Sequence, residues 1–307
     1  MANSLAYAQI FQPELDRQII QESTTGWMEL NDEQVKYNGG NEVKIPNVTM
    51  DGLADYDRQK GYTDGSVTLT WQSHTLTQDR NRAFLLDAMD VDETNFVASA
   101  GMVMGEFQRT KVIPEIDAYR YAKIAKTAID NNVASGGYTP AESTILNKLL
   151  YDIARVQDTV GESAQLVITV PFTVAAILNS SEKIQKRIDV VNFTQGDIST
   201  KVKSIDGIPI ITVSSARLKT AFDFRDGKTT GEEQGGFTAA ADAKTINWLI
   251  TARNAPIAVS KTDTVRVFDP NTYQTANAWK IDYRKYHDLW IPKNKIPSIF
   301  VNMQEAL

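Results

Sequence analysis

The chain has two histidines and no cysteine, which limits the catalytic and metal-binding chemistry open to it. His74 falls in a segment whose alternation predicts a strand, and His287 follows Tyr286 at the end of another predicted strand. A zinc site or a catalytic dyad needs further groups at helix or loop spacing, and neither histidine has an HExxH-like pattern around it. We interpret both as ordinary surface or interface histidines. Without cysteine there is no thiol nucleophile, thiolate metal site or disulfide framework.

A group of aspartates in one short stretch could offer oxygen ligands to calcium. Its members are Asp51, Asp55, Asp57 and Asp64. The stretch lacks the loop spacing and the closing glutamate of an EF-hand. We therefore interpret it as a solvated charge cluster that faces a partner, with Arg58 and Lys60 supplying the opposite sign.

A second acidic group, Asp90, Asp92 and Glu93, could supply paired carboxylates for general acid–base chemistry. It directly precedes a predicted helix, where negative charge complements the helix dipole, so we interpret it as a helix cap. The glycine pairs at residues 136–137 and 235–236 match neither a phosphate-binding loop nor a dinucleotide fingerprint. They are predicted to be flexible turns.

Five basic residues lie between positions 183 and 203, in the middle of the chain. Lys183, Lys186 and Arg187 would share one face of a predicted helix, and Lys201 and Lys203 come soon after. Because phosphate contact requires only loosely placed cations, this group could touch DNA. It could equally form a solvated face or pair with acidic residues of a neighbour. The net charge of -6 argues against a protein whose main task is to grip phosphate backbones.

The composition is that of an ordinary globular protein, with 42% hydrophobic and 23% charged residues. At 307 residues the chain can form one large core or two smaller ones. Its first residues lack the basic and apolar regions of a signal peptide. No run approaches the ~18 apolar residues of a membrane span. We therefore predict a protein made in the cytoplasm without a membrane span.

The most informative element is a predicted polar hairpin near the N-terminus. Residues 43–48 run outward as an extended segment, residues 55–65 form a charged tip, and residues 66–76 return as an alternating strand. Arms of about 15 residues at ~3.3 Å each would reach roughly 50 Å. A compact body of this length has a radius of gyration near ~19 Å. Since an isolated two-stranded hairpin is marginal in water, we predict that it lies on a neighbouring subunit.

Residues 1–43, which precede the hairpin, are predicted to be an arm. The segment carries several large apolar side chains and is too short to bury them, so we expect other subunits to cover some of them. These side chains are Tyr7, Phe11, Trp27, Met28 and Leu30.

A long helix is predicted after the hairpin. Asp92 is a plausible N-cap, and apolar residues at helical spacing continue from Phe96 to Ile129. Pro114 interrupts this pattern, and its missing N–H predicts a kink or a restart. We call this helix the spine.

The remainder of the chain alternates strands and helices before it turns to strands alone. Thr139, Pro140 and Glu142 form a capping pattern ahead of a helix at 145–156. Strands are predicted at 165–170, 208–213, 246–251, 265–268, 279–286 and 296–301, a second helix after Pro171, and a flexible loop at 222–243. Residues 138–262 should form a compact α/β unit.

The run GEFQRTKVIPEIDAYR at residues 105–120 resembles the spine-helix signature of major capsid proteins from tailed phages of Gram-positive hosts. Residues 205–211 and 290–301 also resemble that family, and the order of elements matches over nearly the whole chain. The resemblance implies the α+β Hong Kong 97-type capsid fold. Its expected parts are an N-terminal arm (1–43), an extended hairpin loop (44–80), a peripheral domain with the spine helix (81–137), an α/β axial domain (138–262) and a β-rich return to the peripheral domain (263–307).

The same resemblance implies a function. It is that of the major capsid protein of a tailed phage or prophage, a structural protein rather than an enzyme, assembled in the host cytoplasm and present in the virion. Copies would form hexamers and pentamers of an icosahedral shell around double-stranded DNA, with the hairpin across an adjacent subunit and the loop at 222–243 near the capsomer centre. No catalytic residue, cofactor, metal or membrane is implied.

Further partners follow from the resemblance. A portal protein, decoration proteins and DNA held without sequence specificity are expected, and because the arm begins almost at Met1 we expect a separate scaffolding protein. The founding member of the fold cross-links a hairpin lysine to an asparagine of another subunit. Lys60 is the one lysine in this hairpin's tip, but no partner asparagine can be matched, so cross-linking stays unassigned.

Two other functions remain open. An encapsulin-like compartment that houses a cargo enzyme would have the same fold. A cytoplasmic enzyme built on residues 138–262 would belong to a different class, and it predicts a clustered polar site and a stable monomer.

Overall fold

The computed structural model describes residues 23–37, 41–56, 58–59, 61–88, 103–181, 188–195, 198–273 and 275–307. Several sequence predictions lie outside these ranges. They concern the arm up to residue 22, Asp57, Lys60, the acidic group at 90–93, and the basic residues Lys183, Lys186 and Arg187.

The described residues form strands and helices with the following bounds. The strands are β1 (Lys36–Tyr37), β2 (Glu42–Met50), β3 (Val67–Thr75), β4 (Gln78–Asp87), β5 (Ala134–Ser135), β6 (Leu166–Pro171), β7 (Ile188–Gln195), β8 (Ile198–Ile205), β9 (Ile208–Val213), β10 (Phe222–Phe224), β11 (Phe237–Ala239), β12 (Ile246–Ala252), β13 (Ile257–Phe268), β14 (Ala278–Trp290) and β15 (Ile299–Met303). The α-helices are α1 (Ile113–Asp130), α2 (Ile145–Val160) and α3 (Phe172–Ser180), with 3-10 helices at Gly26–Gln34 and Lys293–Ser298. None of these helices is long and apolar enough to cross a membrane.

A seven-stranded mixed sheet contains the main core. Its strand order is β5-β15-β12-β6-β9-β8-β7, with β6 parallel to β9 and antiparallel to β12. Every residue of β6 and β12 is buried, as expected for central strands covered on both faces. The predicted strands at 165–170, 208–213 and 246–251 are confirmed. The last strand, β15, pairs with β12 in this sheet, although the sequence division groups it with the peripheral return.

A three-stranded antiparallel sheet, ordered β13-β14-β4, forms a second layer. Ile281 and Tyr283 of β14 are buried against the start of the spine helix, where they meet Met104, Val112 and Ile116. The alternation predicted for β14 holds as far as Arg284, whereas every residue from Lys285 to Trp290 is buried.

The spine helix is continuous from residue 103 to residue 130 and contains a π-helical turn at Gln108–Val112. The N–H of Ile113 donates to the Gln108 carbonyl, five residues back, directly before Pro114. A π turn thus takes up the irregularity that the proline predicts. The first half of the spine packs on the three-stranded sheet, and Tyr121, Ile124 and Ala125 of the second half pack in the main core.

The predicted hairpin is confirmed as an antiparallel pair of β2 and β3, which we call the ribbon. Each strand has nine residues rather than about 15, which corresponds to roughly 30 Å of length. Residues 51–56, 58–59 and 61–66 belong to the tip between the two strands. Strand β1 pairs with β2 only at the base, through Lys36 and Tyr37.

The helix predicted at 145–156 is confirmed as α2, which begins at Ile145. The predicted capping pattern is wrong, because the N-cap of α2 is Thr144 and not Thr139. The N–H groups of Gly137 and Tyr138 donate to carbonyls of the C-terminal strand region, which holds the chain extended there. A Cβ on Gly136 would lie 2.3 Å from the Glu305 carbonyl oxygen, so this glycine is required by close packing and is not a flexible turn.

Residues 222–243 do not form the predicted flexible loop. They contain the hairpin of β10 and β11, whose Phe222, Phe224 and Phe237 pack ring against ring. Phe224 also contacts Tyr119 of the spine helix, with ring centroids 5.7 Å apart. Arg80 of β4 donates to backbone carbonyls of this hairpin, so contacts distant in sequence order it.

Other subunits were expected to cover some of the apolar side chains of residues 1–43, and Trp27 and Met28 are not among those that need such cover. Both side chains are buried in the main core of their own chain, at 1% and 0% exposure. The segment is too short to bury them locally, but strands that come much later in the sequence cover them. Tyr7 and Phe11 lie outside the described residues.

Candidate assembly surface on the ribbon

The outer half of the ribbon has one apolar face. Three cross-strand pairs lie on it in register: Pro46 with Trp71, Val48 with Leu69, and Met50 with Val67. Val48 and Trp71 are 41% exposed, and Met50 is 71% exposed. The opposite face of the same stretch carries Asn47, Thr49, Thr68 and Thr70. Because side chains alternate along a strand, this stretch is an amphipathic ribbon whose apolar face is open in the single chain.

The inner end of the ribbon uses its other face. Val43 and Ile45 are buried, at 0% and 2% exposure, in a cluster with Ile257, Val259 and Tyr286 of the chain's own body. Since residues 43 and 45 point opposite to residues 46 and 48, the apolar side of the ribbon changes at this position. The apolar side chains at the inner end attach the ribbon to its own subunit. The apolar side chains of the outer half are on the opposite face and remain exposed in the single chain.

A buried carboxylate fixes the root of the ribbon to the spine helix. Asp288 of β14 is fully buried and accepts hydrogen bonds from the Tyr119 hydroxyl at 2.6 Å and the Thr77 hydroxyl at 2.8 Å. The Thr77 N–H donates to the same carboxylate at 3.0 Å, and Lys123 lies 3.6 Å away. Burial, with the Asp288 charge beside it, raises the pKa of Tyr119, so this phenol stays a donor at all physiological pH values.

Both histidines, which were predicted to be ordinary surface or interface residues, lie at this root. His74 is half-buried and stacks on Trp290, with ring centroids 5.3 Å apart. His287 is 3% exposed and meets the Tyr119 ring edge-on, so its prediction as a surface residue is wrong. Burial lowers the pKa of His74 and holds that of His287 well below 6.5, where Arg120 and Lys285 act in the same direction. Both imidazoles are therefore neutral at pH 7.

The tip of the ribbon is closed by a carboxylate and ends in aromatic rings. Asp51 accepts hydrogen bonds from the Ser66 N–H at 2.8 Å and its hydroxyl at 2.9 Å, which lower the pKa of Asp51. Tyr56 and Tyr62 pack edge to face with centroids 5.2 Å apart, and both are exposed. Among the described residues no group of three or more His, Asp or Glu side chains could hold a metal ion.

The α/β unit has an apolar groove of about 560 Å³ between α3 and the strands β8 and β9. Phe172, Ala175 and Ile210 are among the residues that line it. Its polar groups include Asn179 and Lys203, which bond to each other at 3.2 Å. Lys203 lies on strand β8 and not on a helix. With its mainly apolar lining and few polar groups, the groove is suited to packing against another surface.

Comparison with known proteins gives structural likeness at low sequence identity. No protein-family model and no curated protein matches the sequence. The capsid of the cyanophage P-SCSP1u aligns with a TM-score of 0.57 and 10% identity, over 87% of this chain and 84% of that one. The mature capsid of bacteriophage PhiM1 aligns with a TM-score of 0.56 and 12% identity, over 87% and 82% of the two chains. This chain has the Hong Kong 97-type capsid fold.

A virus-like particle from Pyrococcus furiosus has the same fold. It aligns with a TM-score of 0.51 and 8% identity, over 96% of this chain and 99% of that one. The predicted α+β class and capsid fold are confirmed. In this capsid fold the ribbon corresponds to the extended hairpin that the sequence resemblance implies, and α1 with its π turn corresponds to the spine.

The buried polar residues of the spine are not predicted by the sequence pattern. Asp117 and Arg120 are 0% and 1% exposed, and Asp288 faces the spine from β14. A carboxylate and a guanidinium inside an otherwise apolar helical pattern are the signal that marks the first two. Asp288 directly follows His287 and has no comparable signal, because only the fold brings it to Tyr119 and Thr77.

Proposed function

We propose that this protein is the major capsid protein of a tailed phage or prophage, with a structural and not a catalytic role. Copies assemble into hexamers and pentamers of an icosahedral shell that encloses double-stranded DNA. The observation that carries the proposal is the open apolar face of the ribbon in a chain with the capsid fold. A neighbouring copy of the chain covers that face in the shell.

A single chain leaves the apolar face of the ribbon uncovered. A two-stranded ribbon has little stability of its own, and six apolar side chains on one face favour contact with another surface. Each such contact is modest, at roughly 25 cal/mol per Å² of apolar area buried. A closed symmetric shell repeats the contact for every copy, so modest interfaces sum to a stable particle.

The finer assignments belong to the same proposal. Residues 138–262, which supply five strands of the seven-stranded sheet, form the axial domain, and the spine with the three-stranded sheet forms the peripheral domain. A scaffolding protein, a portal protein, decoration proteins and DNA held without sequence specificity are its partners. Assembly takes place in the host cytoplasm, and the protein resides in the virion.

A matched pair of substitutions on β3 tests the proposal. Leu69→Lys places a charge on the apolar face, and Thr70→Lys places the same charge on the polar face one residue away. Both side chains are exposed in the single chain, so both variants should fold. Electron microscopy of expressed protein, with scaffold if required, should show shells or capsomers for the wild type and Thr70→Lys but not for Leu69→Lys.

Two results would contradict the proposal. Wild-type protein that remains a monodisperse monomer would remove its basis. Equal assembly of the Leu69→Lys and Thr70→Lys variants would show that the apolar face of the ribbon is not an assembly surface.

A compartment like the virus-like particle from Pyrococcus furiosus is the second candidate function. The near-complete mutual coverage of 96% and 99% favours it. Such an encapsulin-like shell would hold a cargo protein instead of a genome. The contents of particles purified from the source, and the presence of terminase, portal and scaffold genes beside this one, distinguish the two candidates.

A further inference from the structure

Residues 23–34, which we call the bridging segment, contact the spine helix and strands of both sheets. The segment lies against the middle of the spine, the edge strand β7 of the large sheet, and the first half of β13. It is therefore placed to fix how the seven-stranded sheet sits relative to the spine.

The contact with the spine centres on one buried carboxylate. Asp117 is 0% exposed and accepts hydrogen bonds from the hydroxyls of Ser23 at 2.9 Å, Thr24 at 2.9 Å and Thr25 at 2.6 Å. The Thr24 N–H adds a bond at 3.2 Å, and Arg217 lies 3.5 Å away on the other side. Three consecutive residues are thus held by a single rigid position on the helix.

Arg120, one helical turn further along the spine, holds the next part of the segment. Its guanidinium donates to the Thr25 carbonyl and hydroxyl at 3.2 Å each and pairs with the Glu29 carboxylate. Burial disfavours the charged form of Glu29, but the charges of Arg120 and Lys285 outweigh it and lower its pKa to about 2. The pair is therefore ionised throughout the physiological range.

The far side of the segment is attached to the large sheet. Trp27 and Met28 are buried in the main core, and Trp27 meets Phe193 of β7 edge to face at 6.4 Å. The Asn31 amide donates to the carbonyls of Arg253 at 2.9 Å and Pro256 at 2.7 Å, in the turn between β12 and β13. One face of the segment is thus bonded to the spine and the other packs against the sheet.

We infer that the bridging segment sets the angle between the seven-stranded sheet and the spine helix, and through that angle the curvature of the assembled shell, with Asp117 as the positioning residue. The inference rests on the proposed function, because curvature has meaning only in a shell. The bonds to Asp117 are directional and short, so a small change at this carboxylate shifts the segment as a unit. A difference of a few degrees in each subunit changes the diameter of a closed particle.

The test compares two buried aspartates that hold different parts of the molecule. Asp117→Asn removes the charge that holds the bridging segment. Asp152→Asn is the control, since Asp152 is 1% exposed and accepts bonds from Trp248 at 3.1 Å and Asn302 at 3.1 Å within the main core. Both variants keep the side-chain shape and both lose charge-assisted hydrogen bonds.

Shell diameter and local exchange are the two measurements. For Asp117→Asn we expect shells with a shifted or broadened diameter distribution and amide exchange in residues 23–34 that is about tenfold faster. For Asp152→Asn we expect wild-type diameters and wild-type exchange in that segment. If Asp117→Asn does not fold, Thr25→Val removes the 2.6 Å bond to Asp117 together with the 3.2 Å bond that the Thr25 hydroxyl accepts from Arg120. Its control is Thr251→Val, at another fully buried threonine.

The outcomes separate this inference from the proposed function. Unchanged diameters in Asp117→Asn or Thr25→Val, with the bridging segment released in the exchange measurement, would overturn the inference alone. Equal diameter changes in the control variants would also overturn it. Wild-type protein that forms no shells would overturn the proposed function and the inference with it.

Discussion

The buried aspartates of this molecule each have their own set of hydrogen-bond donors. Asp117, Asp152 and Asp288 each accept several hydrogen bonds, and each joins elements that are far apart in sequence. Removing such a donor leaves a buried carboxylate unsatisfied, which costs more than the net gain of an ordinary hydrogen bond. The sequence shows that these residues are acidic but not that they are buried, because burial depends on partners about 90 to 210 positions away.

His287 should make the stability of the subunit fall in mild acid. The unfolded chain binds a proton near pH 6.5, while the folded chain resists it, so the free energy of unfolding decreases as the pH falls below about 6.5. Between pH 6.5 and 5.5 this group should account for a loss on the order of 1 kcal/mol, because the unfolded imidazole goes from half to almost fully protonated over that interval. Chemical denaturation of unassembled His287→Gln at the two pH values should show a correspondingly smaller loss than the wild type.

His74→Gln serves as the control for this titration. His74 is only half-buried, so its removal should reduce the acid-dependent loss by less. An identical pH dependence in wild type and His287→Gln would mean that the buried imidazole does not titrate with unfolding.

Some strands and helices are determined by the local sequence pattern, and others by contacts with residues distant in sequence. The alternation of Val67, Leu69 and Trp71 predicts β3 because a strand's period is a local property. The capping pattern at Thr139 and Glu142 failed because bonds to the C-terminal strand region hold the neighbouring backbone extended. Sequence reasoning therefore found most strands and the spine, and it missed elements whose conformation is decided from elsewhere.

The change of apolar side along β2 gives opposite predictions for two aliphatic residues of one strand. Ile45→Ala should lower the free energy of unfolding of the isolated subunit by about 3 kcal/mol, because Ile45 is buried at the ribbon base. Val48→Ala should change it by less than about 0.5 kcal/mol, because Val48 is exposed there. Urea denaturation of both unassembled variants measures the difference. Equal losses would contradict the assignment of the two faces.

For the whole molecule, the order of the layers could not be derived from the sequence. The predicted strand at 296–301 exists as β15, but its neighbour is β12 and not β14. Strand β12 is an apolar run and β14 begins with alternating charged residues, but neither pattern specifies which strand pairs with β15. The sequence predicts the ribbon as a hairpin that contacts a neighbour, because the alternation of its strands is a local pattern. It does not predict the bridging segment, which falls within the predicted arm.

Trp71 should report assembly of the whole particle. Of the five tryptophans, Trp27, Trp248 and Trp290 are buried and Trp279 is partly buried, whereas Trp71 is 41% exposed on the ribbon. Covering Trp71 with a neighbour should shift the protein's fluorescence emission to shorter wavelength when subunits assemble. Trp71→Phe should lose this shift and Trp279→Phe should retain it. A shift that persists in Trp71→Phe would place the buried contact elsewhere.

The position where the ribbon changes its apolar side also restricts how its length can vary during evolution. Consider one residue inserted in β2 between Ile45 and Pro46 and one in β3 between Trp71 and Gln72. The outer pairs would then turn over, and Val48 and Leu69 would lie on the opposite face of the ribbon. Inserting two in each strand restores the orientation and only lengthens the reach. Natural relatives that retain this mode of contact should therefore differ in ribbon length by even numbers of residues per strand.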